Sequence, residues 1–259
     1  MKIKLDKPIK IIKLAKTVVE KKKPQIHKLN LNIDRIENPN DAFDVFEGSV
    51  QKILSEKGDI EHNSFLKTLN AVLNKFTATN QLDGMNRKLP RLAENFVNLG
   101  NGSLAGIMYS VLIKANHNSP WLVEKFATNG LAIAKRFHDP VHIMARCEDL
   151  RRIYSITSPQ SDKLLKILYE EKRALNGIIN NYEGAKNRFC SVKREMKPRE
   201  NYQILLGFIK LQIAKIIKES KPKEAIEELK GAYELISTVG KGDYTEEIER
   251  LLAEISSKK

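Results

Sequence analysis

Apolar residues recur along this chain in steps of three and four, which places them on one side of a helix with 3.6 residues per turn. The clearest case runs from Lys221 to Ile236. Pro222 fits the first helical turn, where a missing N–H costs nothing. Ala225, Ile226, Leu229, Ala232, Tyr233 and Ile236 form the apolar stripe, and Glu224, Glu227, Glu228, Lys230 and Glu234 fill the other side. Gly240 and Gly242 supply a stop signal just beyond. Ala225 and Ala232 flank Leu229 on the buried side, and small residues there let a second helix approach closely.

The preceding segment, Tyr202 to Glu219, carries Tyr202, Leu205, Leu206, Ile209, Ile213, Ile216 and Ile217 on one stripe. Ile204, Phe208, Leu211 and Ala214 widen that stripe to more than one side, so this helix is expected to be covered by more than one partner. The same periodicity predicts helices from Asp41 to Lys57, from a cap at Asn63 or Ser64 to about Phe76, from Pro90 to Leu99, and from a cap at Ser103 to about Ala115. Further helices are expected over Trp121 to Phe137, Val141 to Tyr154 and Tyr244 to Ile255. The last of these, with Ile248, Leu251, Leu252 and Ile255 inward and a charged outer side, suits the closing helix of a stack. Residues 77–89, which include Gly84, read as a loop. Residues 24–40, with Pro24, Pro39 and several asparagines, read as a linker.

The longest regular run begins at Asp162. Leu164, Leu168, Leu175, Ile178, Tyr182, Ala185, Phe189, Val192 and Met196 alternate in steps of three and four, and only Glu171 breaks the series. That pattern predicts one long helix over about 162–196, with Gly177 and Gly184 off the seam and Pro198 as the stop. The seam would pack within the body against 202–219; the alternative is a coiled-coil contact with a second subunit.

At these residues the chain resembles the tetratricopeptide-repeat family. The small–large–small trio Ala225, Leu229, Ala232 recurs as Ala127, Leu131, Ala134, and the two lie 98 residues apart, close to three of the family's roughly 34-residue periods. The resemblance covers the chain from about residue 100 onward. The family's first-helix Trp and Gly-Tyr positions are not clearly present. It implies an all-α fold in which antiparallel helix pairs stack as an α-solenoid, and a groove that receives a peptide or protein partner. The expected organisation is a basic head and linker over 1–40, followed by an all-α helical-repeat domain over 41–259.

Charge changes the picture at one end. Residues 1–30 hold ten lysines against Asp6 and Glu20, a net +8, which leaves +5 of the chain's +13 for the other 229 residues. Between Pro8 and Pro24, Ile11, Ile12, Leu14, Ala15, Val18 and Val19 fall on one side of a helical wheel. Lys10, Lys13, Lys16, Thr17 and Glu20 fall on the other. One reading is a basic amphipathic helix that meets an anionic membrane surface, a nucleic acid or an acidic partner. The others are a segment packed on the body, a loosely ordered tail, or a short strand favoured by its β-branched residues. No apolar run approaches the roughly 20 residues that span a bilayer, and no secretory signal is evident. Two cysteines, Cys147 and Cys190, make no disulfide framework, so a reducing, cytoplasmic setting is expected.

No catalytic, cofactor or metal constellation stands out. His138 and His142 are four apart with Asp139 beside them and Cys147 downstream, but Pro140 lies between them, and a helix break there reads better than a metal site. Asn-Leu-Gly-Asn-Gly-Ser at 98–103 is no phosphate loop, since it lacks the following lysine and the preceding strand. The glutamates read as solvated charge on helix faces. Arg146, Arg151, Arg152, Lys193, Arg194, Lys197 and Arg199 are candidates for a basic patch, against the alternative of a solvated rim. The expected function is a non-enzymatic scaffold without cofactor, with Arg146, Arg151 or Arg152 selecting an acidic segment of a partner.

Overall fold

The computed structural model describes residues 25–56, 58–189, 196–238 and 242–257. Among these the chain forms eleven α-helices: α1 (Pro39–Ser55), α2 (His62–Ala78), α3 (Leu82–Asn98), α4 (Gly102–Ala115), α5 (Pro120–Arg136), α6 (Pro140–Thr157), α7 (Asp162–Asn180), α8 (Tyr182–Phe189), α9 (Arg199–Ile217), α10 (Pro222–Ser237) and α11 (Gly242–Ser257). The all-α expectation holds, with one small exception. β1 (Ile26–His27) and β2 (Asp59–Ile60) pair in parallel, Ile26 opposite Asp59 and His27 opposite Ile60.

Local chemistry sets the helix starts. Proline stands in the first turn of α1, α5, α6 and α10. Side chains of Asn38, Asn101, Asp139 and Ser161 accept hydrogen bonds from backbone N–H groups that the helix itself leaves unpaired. Three ends share one design. After α2, α3 and α5 a residue with positive φ (Asn80, Gly100, His138) lets the next N–H bond back over the turn, Gln81 to Phe76, Asn101 to Phe96 and Asp139 to Ala134. The chain is thereby folded back tightly, and Asn101 and Asp139 go straight on to cap the next helix.

Each helix packs on its successor from α1 to α7, and the series resumes with α9, α10 and α11. Such a row of neighbouring helices is consistent with an α-solenoid. α2 also touches α4, and residues of α2, α4 and α6 line one groove along the row. The alanines at both trios are buried: Ala225, Leu229 and Ala232 on α10, and Ala127, Leu131 and Ala134 on α5. Close approach at α9–α10 rests on Gly207, where a Cβ would lie only 2.7 Å from Ile236 Cγ1. α9 buries Tyr202, Leu206, Ile209, Leu211, Ile213, Ala214 and Ile217 between α7 and α10, as its wide apolar surface predicts.

Four local expectations are corrected. Residues 82–89 are helical, and α3 runs through Pro90. Met85, Leu89, Leu92, Ala93 and Phe96 form one buried stripe across the proline, and this burial outweighs the lost backbone bond. The long helix over 162–196 does not form. α7 stops at Asn180, and Asn181 (φ −128°, ψ 54°) sends the chain into the short α8. Asn181 also lies where a side chain at Gly184 would fall, 2.5 Å from that Cβ position. The α7 half of the seam packs within the stack between α6 and α9, and α8 meets α9 through the Tyr182–Tyr202 ring contact. The caps of α2 and α4 are Glu61 and Asn101, not Asn63, Ser64 or Ser103. Finally, the stretch from 25 to 38 is anchored rather than a free linker. Leu29 and Ile33 are buried, the Leu29 N–H donates to Ser64 Oγ at 3.1 Å, and Thr68 Oγ1 donates to the Leu29 carbonyl.

Not every glutamate is solvated either. Glu171, the residue that breaks the apolar series, is fully buried and receives Arg151 Nε at 2.8 Å across the α6–α7 contact. Glu228 is buried where Lys172 of α7 and Lys210 of α9 both reach it. Residues 1–24, with Lys10, Lys13 and Lys16, and residues 190–195, with Cys190, Val192, Lys193 and Arg194, lie outside the described residues. No helix among the described residues is long and apolar enough to cross a membrane.

Candidate functional site

The i, i+3, i+4, i+7 spacing that buries one side of α6 against α5 and α7 leaves another run, His142, Ala145, Arg146, Asp149, Arg152, Ile153 and Ile156, along a groove of about 1110 Å³. α4 faces it with Ile107, Val111 and Ile113, and α2 with His62, Leu66 and Asn70. These three helices come from three successive turns of the stack, so the groove exists only once the helices are assembled. Ile156 is 84% exposed at its mouth, and Trp121, at the adjacent start of α5, is 66% exposed. Tyr154 donates to Glu124 at 2.8 Å there, which holds the end of α6 to the start of α5.

Two histidine pairs close the other end. His62 Nε2 lies 3.0 Å from Ser103 Oγ and ties α2 to α4. Burial lowers the His62 pKa; Asp59 opposes this and His142 adds to it, so the ring is neutral at pH 7. His142 Nδ1 lies 2.8 Å from Asp139 Oδ2, while Asp139 Oδ1 accepts the Val141 and His142 N–H groups at 3.0 and 3.2 Å. Burial pushes the Asp139 carboxyl up, but these bonds and the His142 charge more than offset it, and its pKa is lowered. The expected helix break at Pro140 is present, and Asp139 caps the helix that starts there. Among the described residues no group of three or more His, Cys, Asp or Glu side chains is arranged to hold a metal ion. Cys147 is fully buried, and burial, then the Glu171 and Glu170 charges, push its thiol up to about 12; such a thiol packs rather than reacts.

The arginines part company. Arg146 and Arg152 line the groove and Arg151 does not. Arg151 is committed to Glu171 in the interior. Arg152 has a side chain 70% exposed and pairs with Glu148 at 2.5 Å. Arg146 is 7% exposed, its Nη2 lies 3.3 Å from Asp149 Oδ2, and its Nε and Nη1 are buried without a hydrogen-bond partner. Lys197 and Arg199 are exposed near the start of α9 and do not line the groove.

Sequence reasoning placed the arginines on one helix but missed the Ser103–His62 contact, which spans 41 residues. It also gave no sign that Ile107 and Ile156 line one groove, since the helix expected over Val141 to Tyr154 stopped short of Ile156. No protein-family model matches the chain, and neither a curated protein nor a solved structure is similar to it.

Proposed function

We propose that this chain is a degenerate tetratricopeptide-like stack that acts as a non-enzymatic scaffold, binding a segment of a partner protein in the α2–α4–α6 groove. The observation that carries this reading is the groove itself: about 1110 Å³, contributed by three successive layers, with Leu66, Ile107, Val111, Ile113, Ile153 and Ile156 among its walls. Cavities of this size and apolar character are where ligands bury most of their surface. The exposed Ile156 and Trp121 add the kind of large side chain that anchors protein interfaces. The repeat assignment is supported by the buried alanine trios, one on α5 between α4 and α6 and one on α10 between α9 and α11.

The test is selection of short random peptides, displayed on a carrier, against the immobilised full chain. Ile156→Glu puts a charge at the mouth without touching the core. Selected peptides are expected to lose about tenfold or more in affinity for that variant, which corresponds to roughly 1.4 kcal/mol. Binding that is indifferent to Ile156→Glu, or the absence of any selected peptide, would remove the groove from the function.

A further inference from the structure

Arg146 is the exception among the buried charges. Glu171 and Glu228 each receive hydrogen bonds from cationic side chains. Arg146 is more than nine-tenths buried, yet two of its three nitrogens have no partner. Its contact with Asp149 is a single approach of 3.3 Å, where a guanidinium and a carboxylate can make two parallel bonds, and Asp149 Oδ2 itself takes no hydrogen bond. Burial lowers the pKa of Arg146 and raises that of Asp149, so the site disfavours both charges. The side chain is nonetheless admitted deliberately. α5 presents Gly130 beneath it, where a Cβ would come within 2.9 Å of Arg146 Cδ. A buried, half-used guanidinium on the wall of an open groove is a site awaiting an anion.

We infer that Arg146 recognises one carboxylate on an acidic side chain of the bound partner segment, with Asp149 holding its place in the empty groove. This rests on the groove reading above. Three observations fix the class of ligand. The cation is more than nine-tenths buried in the groove wall, so it is reached by one planar acid on a narrow stem and not by a membrane surface or a nucleic-acid backbone. Along α6 the other basic side chains are already held, His142 by Asp139, Arg151 by Glu171 and Arg152 by Glu148, and Lys114 of α4 stands at the exposed side of the groove, so a single acid suffices at this depth. The groove also continues on both sides of Arg146, from His142 to Ile156 along α6. A segment lying there passes over Arg146, which makes the acid a side chain rather than a chain end. Ile156 is ten residues along the helix, about 15 Å at 1.5 Å each. In an extended partner that distance is about four to five residues at roughly 3.3 Å each. The preferred segment therefore carries Asp or Glu four or five positions from a large apolar side chain.

The experiment compares short random peptides selected against the wild-type chain, Arg146→Met, Arg146→Lys and Asp149→Asn. Wild-type selection is expected to enrich one acid at that spacing from an apolar residue. Changing the acid to its amide should weaken binding about tenfold or more to the wild type and leave binding to Arg146→Met unchanged. Arg146→Lys keeps the charge but not the fork, and should lose most of the preference. Asp149→Asn removes the internal competitor and should tighten binding several-fold. Arg146→Met leaves Asp149 without its cation and should lower the melting temperature, which Asp149→Asn in the same chain should partly restore; if it fails to fold, the lysine variant carries the comparison. An amide change without effect on the wild type, an equal effect on Arg146→Met, or enrichment only of peptides with a free C-terminus would overturn the inference. Peptides that depend on Ile156 but need no acid sink Arg146's role and leave the groove standing. No Ile156-dependent peptide at all sinks both.

Discussion

Replacing Arg151 by methionine removes the partner of a carboxylate that has no contact with water. Glu171 is fully buried, and Arg151 Nε is 2.8 Å from its Oε2, with Nη2 3.5 Å from Oε1. Burial already pushes the Glu171 carboxyl up to about 7, against the Arg151 charge and hydrogen bond, which pull it down. A folded-state pKa of about 7 set against an ordinary 4.5 means that the folded protein holds a proton that the unfolded chain releases. This contribution to stability is therefore complete below about pH 4.5, falls as pH rises and is lost above about 7, on the order of 3 kcal/mol in all. Without Arg151 the carboxyl titrates higher still, and its charged form stands alone in the core. Breaking such a pair costs about 3–5 kcal/mol when the remaining partner is charged. At pH 5.5 Glu171 is protonated in both proteins, and only a hydrogen bond of about 1 kcal/mol is lost. Urea unfolding of wild type and Arg151→Met at pH 5.5 and pH 8.5 measures the difference directly, since other titrating groups cancel in the comparison. Glu171→Gln in the Arg151→Met background should recover most of the loss at pH 8.5. An Arg151→Met penalty equal at the two pH values would refute the reasoning, and so would a penalty that the second substitution leaves untouched.

Two further outcomes follow from the packing. Pro90→Ala restores an N–H in the interior of α3 and should raise the unfolding free energy, by up to about 3 kcal/mol on helix propensity alone; a loss of stability would show that the proline ring is part of the core. Gly207→Ala places a methyl 2.7 Å from Ile236 Cγ1 and 3.3 Å from Leu235 Cβ. Forcing α9 from α10 should cost about 1–3 kcal/mol by thermal unfolding, and an unchanged melting temperature would mean that the contact yields freely.

Periodicity alone determined that the chain is helical, that a break falls at Pro140, and most of the buried residues of α9, α10 and α11, though Tyr233 of the expected stripe is exposed and Glu228 of the outer side is buried. These are local matters: a stripe at 3.6-residue spacing must be covered, and a proline can start a helix but rarely sits inside one. The same local reasoning failed where a distant surface overrode it. Pro90 stays inside α3 because Met85 and Leu89 on one side of it and Phe96 on the other bury against the same neighbours. The seam from Asp162 breaks at Asn181, a residue whose backbone preference the apolar count ignored. Glu171 stood out only as an interruption, because its reason for being there, Arg151, lies on another helix. The groove was the least visible feature. Its walls come from α2, α4 and α6, up to 95 residues apart between His62 and Thr157. Arg146, Arg151 and Arg152 are equivalent as letters. Assembly alone buries the first without a full set of partners, spends the second on a core carboxylate and leaves the third in water, because which side of a helix meets solvent is decided by what packs against it.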